Sequence, residues 1–211
     1  MLYLLCTSLG GVCSVISFDV YYSPAVESCR MNSKYNAGTV AMIVVVLVVT
    51  AIIVWLSVSL SGFNNEWYQN LNKPPGVVPN GVFGIAWTIL YILIVIGAVY
   101  AVIVASSTEK KVTIVILYTL ALLLTLMWVV SFNLFQQPPV GLAVLLLTLV
   151  TVGCLLFQLF PGKLRSEGGK WDYFPAVAFT LLFTWLLVAS YYNLGIVALN
   201  PGGGAVQTSC L

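Results

Sequence analysis

Four long stretches of this chain contain no Asp, Glu, Lys or Arg, and each is almost wholly apolar. They lie between Lys34 and Glu66, between Lys73 and Glu109, between Lys111 and Lys163, and beyond Asp172. A helix that crosses the hydrocarbon core of a bilayer needs roughly 20 mostly apolar residues, so these gaps have room for one, one, two and one spans. The pattern predicts spans at about 39–61, 81–105, 112–133, 140–160 and 174–198. Pro138 and Pro139, preceded by Gln136 and Gln137, divide the longest gap into an antiparallel pair. A proline has no backbone N–H to give to a helix continuing through lipid. The fold class expected is an all-α membrane protein, a five-transmembrane-helix bundle.

Two internal connections are distinctive. Residues 161–171 form a short polar loop with Gly162, Gly168 and Gly169. Residues 62–80 form the longest loop and hold Trp67, Tyr68, Lys73, Pro74, Pro75 and Pro79. Loops with such contents often serve as lids over a site. The expected organisation is an N-terminal hydrophobic arm or signal-like segment (1–37), a five-helix membrane domain (38–200) and a flexible tail (201–211). Residues 1–17 are apolar but short and lack a basic start, and Met31 is an alternative beginning for a compact five-span protein.

Composition agrees with this reading. Hydrophobic residues make up 61% of the 211 residues and charged residues only 7%, against the quarter or so usual in soluble domains. Mean hydropathy is +1.05. A net charge of +2 without a nucleic-acid motif gives no reason to expect a nucleic-acid partner. The five cysteines form no CxxC pair and there is no His, so neither a metal nor another resident cofactor is expected. A Cys13–Cys29 disulfide is conceivable only on an oxidising face. Of the eight basic residues, seven (Arg30, Lys34, Lys110, Lys111, Lys163, Arg165 and Lys170) fall on one side of a five-span topology, and only Lys73 on the other. The positive-inside rule then places the N-terminal side and the loops near 108 and 165 in the cytoplasm.

Pumps and ion-coupled carriers are marked by ionisable groups within their spans, and the predicted spans have none. What remains is aromatic and weakly polar. Phe83, Trp87 and Tyr91 recur every fourth residue on one face of the second span, and Gly97, Ala101 and Ala105 continue at the same spacing. Small residues at that spacing let helices approach closely. A bundle tight at one end and held apart by rings at the other would leave a pocket beneath the 62–80 loop. Trp185, Ala189 and Asn193 share a face of the fifth span, with Asn200 two turns further on, and Thr125 and Trp128 are neighbours on the third. The plainer alternatives are core packing for Trp87, Trp128 and Trp185, interfacial anchoring for Trp67, Trp171 and Tyr173, and an interhelical hydrogen bond for Asn193.

The run Trp67-Tyr-Gln-Asn-Leu71-Asn-Lys73-Pro74, then Pro79, Phe83 and Trp87-Thr-Ile-Leu90-Tyr91, resembles the first loop and second helix of the TspO (translocator protein, tryptophan-rich sensory protein) family. Thr108-Glu109-Lys110 with Leu117-Tyr118-Thr119, and Trp185, Ala189, Asn193, Leu199 and Asn200, are similar to its third and fifth helices. The resemblance covers about residues 40–200. It implies a membrane bundle, often a homodimer, that binds porphyrins such as protoporphyrin IX, and in some members sterols. It implies a ligand site of Trp87, Tyr91, Trp185, Phe83, Thr125, Ala189 and Asn193, beneath a lid containing Trp67, Lys73 and Pro74. The implied role is sensor, scavenger or shuttle. The alternatives are a light-dependent porphyrin-degrading enzyme and a ligand-free structural membrane protein. Thr125 stands where the family has asparagine, Leu181-Leu182 replaces its Pro-Tyr, and Gly76 stands near the place of an aromatic in its first loop. No base follows Tyr191 and Tyr192, so the family's sterol signature is missing.

Overall fold

The computed structural model describes residues 36–61, 66–160, 164 and 171–201. The expectations for the N-terminal arm, its cysteines, Met31 and the tail beyond residue 201 lie outside the described residues. Six α-helices are described: α1 (Ala37–Leu60), α2 (Glu66–Asn70), α3 (Asn80–Val104), α4 (Thr108–Val129), α5 (Pro138–Leu159) and α6 (Phe174–Leu199). All but the short α2 are long and apolar enough to cross a membrane. The protein is a multi-pass membrane protein, and each expected span matches a helix to within a few residues at its ends.

The helix ends follow from local chemistry. Asn36 caps α1, its side-chain oxygen accepting from the Thr39 N–H at 2.8 Å. Ser107 caps α4 in the same way through the Lys110 N–H. At its far end α4 widens into a π-helical turn, Val130–Leu134, before Gln136 takes a left-handed φ of 54°. The Gln137 N–H then reaches back to the Ser131 carbonyl at 2.9 Å, and Pro138 starts α5 where its missing N–H costs nothing.

The spans close a ring in the order α1, α3, α6, α5, α4, with α3 also touching α4 across it. Small residues decide where it is tight. A Cβ added at Gly97 would lie 3.4 Å from both the Ala178 Cβ and the Pro175 Cα, so α3 and the start of α6 are in near-backbone contact. Ala98, Ala101 and Ala105 extend this buried seam.

Polar groups tie α1 to α4. The Tyr118 hydroxyl donates to Thr50 Oγ1 at 2.7 Å, and Thr50 donates onward to its own helix at the Val46 carbonyl. Helix α4 starts four residues before the expected span and so carries Lys111 into the bundle. That residue is only 8% exposed, and its Nζ donates to Thr39 Oγ1 at 2.9 Å. The expectation of spans without ionisable groups is corrected here, because capping by Ser107 winds the basic turn into the helix.

The described part of the first loop, residues 66–79, folds back over the end of the bundle where α3 begins. Trp67 was expected to serve either as lid or as interfacial anchor; it is only 9% exposed and packs edge-on against Phe132 at 5.5 Å. It therefore seals the bundle, whereas Trp171 and Tyr173 are largely exposed, as anchors should be. The segment is clasped to α6. Asn200 accepts from the Asn72 N–H at 3.0 Å and donates to the Asn72 carbonyl at 2.9 Å, while the Tyr192 hydroxyl donates to the Gly76 carbonyl at 2.7 Å. Gly76 sits at φ 81°, which glycine adopts without strain. Pro74 is buried against Gly195, where an added Cβ would come within 2.6 Å of the Pro74 Cγ.

Tyr118→Phe keeps the ring and removes the bond to Thr50; it should destabilise the bundle by about 1 kcal/mol in detergent unfolding. Gly195→Val should displace Pro74 and unseat the lid, seen as faster proteolysis within residues 66–79 at nearly unchanged helix content by circular dichroism.

Candidate functional site

The stripe on α3 becomes the wall of a cavity of about 720 Å³ between α1, α3 and α4. The side chains of Phe83, Trp87, Tyr91 and Val95 come from α3, Thr125, Trp128 and Val129 from α4, and Thr50, Val54, Ser57 and Val58 from α1. The spacing explains the set, since every fourth residue of a helix returns to one face. The wall carries no charged side chain. The volume falls within the range usual for small-molecule sites.

Trp128 organises the aromatic cluster. It lies nearly parallel to Trp87 at 6.4 Å between centroids and to Phe132 at 5.7 Å. Phe83 touches Trp87, Trp128 and Trp185 at 6.3, 6.1 and 5.4 Å, and Trp87 contacts Tyr91 at 5.4 Å. Such ring pairs contribute about 1 kcal/mol each beyond the area they bury, so the wall is stiff on the α3–α4 side. Hydrogen-bonding capacity is sparse. The Thr125 hydroxyl donates to the Ala121 carbonyl of its own helix at 2.9 Å, leaving it only acceptor capacity. The buried Trp87 Nε1 proton has no acceptor.

The structure brings four expected site residues, Phe83, Trp87, Tyr91 and Thr125, onto this one cavity. The other three stand behind it. Ala189 and Asn193 line a separate hollow of about 30 Å³ beneath Tyr68, with Phe83 and Trp128 as the partition, a space suited to about one water. Trp185 packs on Phe83 and is not among the residues lining the larger cavity. Asn193 is best oriented with its amide oxygen accepting from Trp128 Nε1 at 3.1 Å and its nitrogen donating to the Pro138 carbonyl at 2.9 Å. It locks α6 to α4 and α5, which was the plainer reading of this residue.

The lid residues are placed above the cluster. Lys73 stays on the lid itself: its Nζ donates to the Gln69 carbonyl at 3.1 Å and sits 4.7 Å above the Tyr68 ring. Burial pushes the Tyr68 phenol above its ordinary range, so it remains neutral beneath that ammonium. Most other wall residues, Thr50, Ser57, Val95 and Val129 among them, were not expected as site members, nor were the two remaining tryptophans of the wall. Trp128 was read as a neighbour of Thr125 and, more plainly, as core packing; its spacing with Phe132 was the available signal. Trp55 on α1, also on the cavity wall, offered no signal, because α1 is apolar on every side.

Comparison with known proteins gives the family of the chain. The family model described as "TspO/MBR family" matches residues 40–199. Protein CrtK of Rhodobacter capsulatus is 29% identical over 138 residues, which cover 64% of this chain and 79% of that protein. The tryptophan-rich sensory protein of Cereibacter sphaeroides is 26% identical over 136 residues, covering 64% and 78%. The tryptophan-rich protein TspO of Chlorobaculum tepidum is 28% identical over 137 residues, covering 64% and 80%. A family match over residues 40–199, joined to a five-span bundle with Trp87, Trp128 and Trp185 clustered around Phe83, places this chain in the TspO/MBR family.

Proposed function

We propose that this protein is a membrane receptor that binds a flat, mainly apolar ligand of the tetrapyrrole class, as a sensor, scavenger or shuttle. The observation that carries the reading is the cavity of about 720 Å³, walled by Phe83, Trp87, Tyr91 and Trp128 and free of charged side chains. A planar macrocycle lying along the α3–α4 wall gains roughly 25 cal/mol for each Å² of apolar surface removed from water. The name of one relative, tryptophan-rich sensory protein, is in keeping with a sensing role. Trp87 and Trp128 take the stacking role, and Trp185 braces Phe83 from behind.

Among the described residues, the cavity wall offers no carboxylate, imidazole, thiol or ammonium to act as base or nucleophile. Binding is therefore the reading preferred over catalysis. We further propose that the lid faces away from the cytoplasm, in keeping with the distribution of basic residues along the chain. Titration with protoporphyrin IX tests the site by quenching of tryptophan fluorescence and, independently, by the shift of the porphyrin absorption band. Trp87→Phe combined with Trp128→Phe should weaken binding about tenfold, or about 1.4 kcal/mol, while Trp185→Phe should have a smaller effect. Unaltered affinity in the double variant would remove the site from α3 and α4.

A further inference from the structure

We infer that the cavity is filled sideways from the hydrocarbon of the bilayer, through a window between α1 and α3, while the lid stays closed. This route rests on the ligand-binding reading above and adds the direction from which the ligand comes and the chemistry it must have. The window is visible in the wall itself. Trp55 and Val58 of α1 line the cavity yet are 68% and 69% exposed, and Ile92 of α3, across the opening, is 54% exposed. Ala51 and Gly84 also belong both to the cavity wall and to the exposed surface. All five lie within the membrane-spanning helices, so the opening lies at the depth of the bilayer.

The described part of the lid is held down. Its own Trp67, Tyr68, Leu71 and Pro74 are buried, and the Asn72–Asn200 pair, the Tyr192–Gly76 bond and the Pro74–Gly195 contact hold it to α6. Opening from the aqueous side would break all of these together and expose indole to water. The α1 side resists less. In its apolar window α1 is 22% buried, against 44% for α5. Its bonds to α4, from Thr39 and Thr50, lie at its start and near its middle. Beyond them, Ser59 and Ser61 turn their hydroxyls back onto the Trp55 and Val58 carbonyls of the same helix. Ile53 and Ser57 remain buried there, so the part of α1 beside the window moves by giving up side-chain packing rather than the bonds from Thr39 and Thr50.

The wall sets the ligand's chemistry. With no charge to meet it, the part that enters is an uncharged flat ring system already dissolved in the bilayer. Any carboxylate on its rim stays in the window and reaches towards the interface.

The test uses the full-length protein in phosphatidylcholine vesicles and the uncharged dimethyl ester of protoporphyrin IX, supplied in a second vesicle population. Association is followed by the rate of tryptophan quenching. Gly84→Phe with Ala51→Phe plugs the window; a Cβ at Gly84 meets no atom within 4 Å, so the backbone need not move. Asn72→Cys with Asn200→Cys, oxidised, locks the lid. Sideways filling predicts that the plug slows association and dissociation together by about tenfold, whereas the oxidised lid lock leaves both rates as in the reduced form. A plug without effect on the rates overturns the inference, and so does a lid lock that slows association and is relieved by reductant. The lid lock decides the route even if the plugged variant fails to assemble. Absence of quenching in the unsubstituted protein would instead overturn the ligand-binding reading, and the route with it.

Discussion

Everything in this bundle depends on how closely two helices approach when no water is present to drive them together. Lipid tails are as apolar as leucine, so helices in a bilayer associate through close contact and through the few hydrogen bonds they can share. Between α3 and α6 that contact is nearly backbone to backbone at Gly97, Ala178 and Pro175. Three turns along α3, the same helix presents Phe83, Trp87 and Tyr91, and the rings hold its neighbours off. A single helix thus closes the bundle at one end and opens it at the other, and the cavity lies where small side chains give way to large ones.

The polar residues in the spans fix the rigid side of that cavity. Asn193 links Trp128 to the start of α5, and the Trp128 ring in turn lies against Trp87 and Phe132. Tyr118 and Lys111 fasten α1 to α4 through Thr50 and Thr39. A buried lysine with a hydroxyl partner is tolerable at a helix start near the interface, where its ammonium is close to headgroups and water. Beyond Thr50, α1 is held by the packing of Ile53 and Ser57, which are buried in the bundle. The cavity therefore has two walls fixed by ring contacts and hydrogen bonds and a third, the later part of α1, held by side-chain packing.

The lid depends on a clasp between residues far apart in the chain. Asn72 and Asn200 are separated by 128 positions and satisfy one another's backbone and amide groups as a strand pair would. Gly195 gives Pro74 room to lie against α6, and Gly76 turns the chain so that its carbonyl meets Tyr192. These contacts bring Trp67 and Tyr68 down onto Phe132, where they cover the aromatic cluster.

The sequence by itself determined the five spans, their breaks at Pro138 and Pro139, and the face of α3 that carries rings before small residues. These are consequences of periodicity and of backbone hydrogen bonding in lipid, both of which act locally. It also put Phe83, Trp87, Tyr91 and Thr125 in the candidate site, because each lies on a face that can be counted along its helix. Only the tertiary structure decided which neighbour each face meets. Trp128 rather than Trp185 stacks on Trp87, Trp55 joins the wall from a helix that is apolar all round, and Ala189 and Asn193 fall behind the partition of Phe83 and Trp128. The physical reason is that a helical repeat fixes direction around its own axis, whereas the order of helices around the ring and the rotation of each are set by close packing between segments remote in sequence.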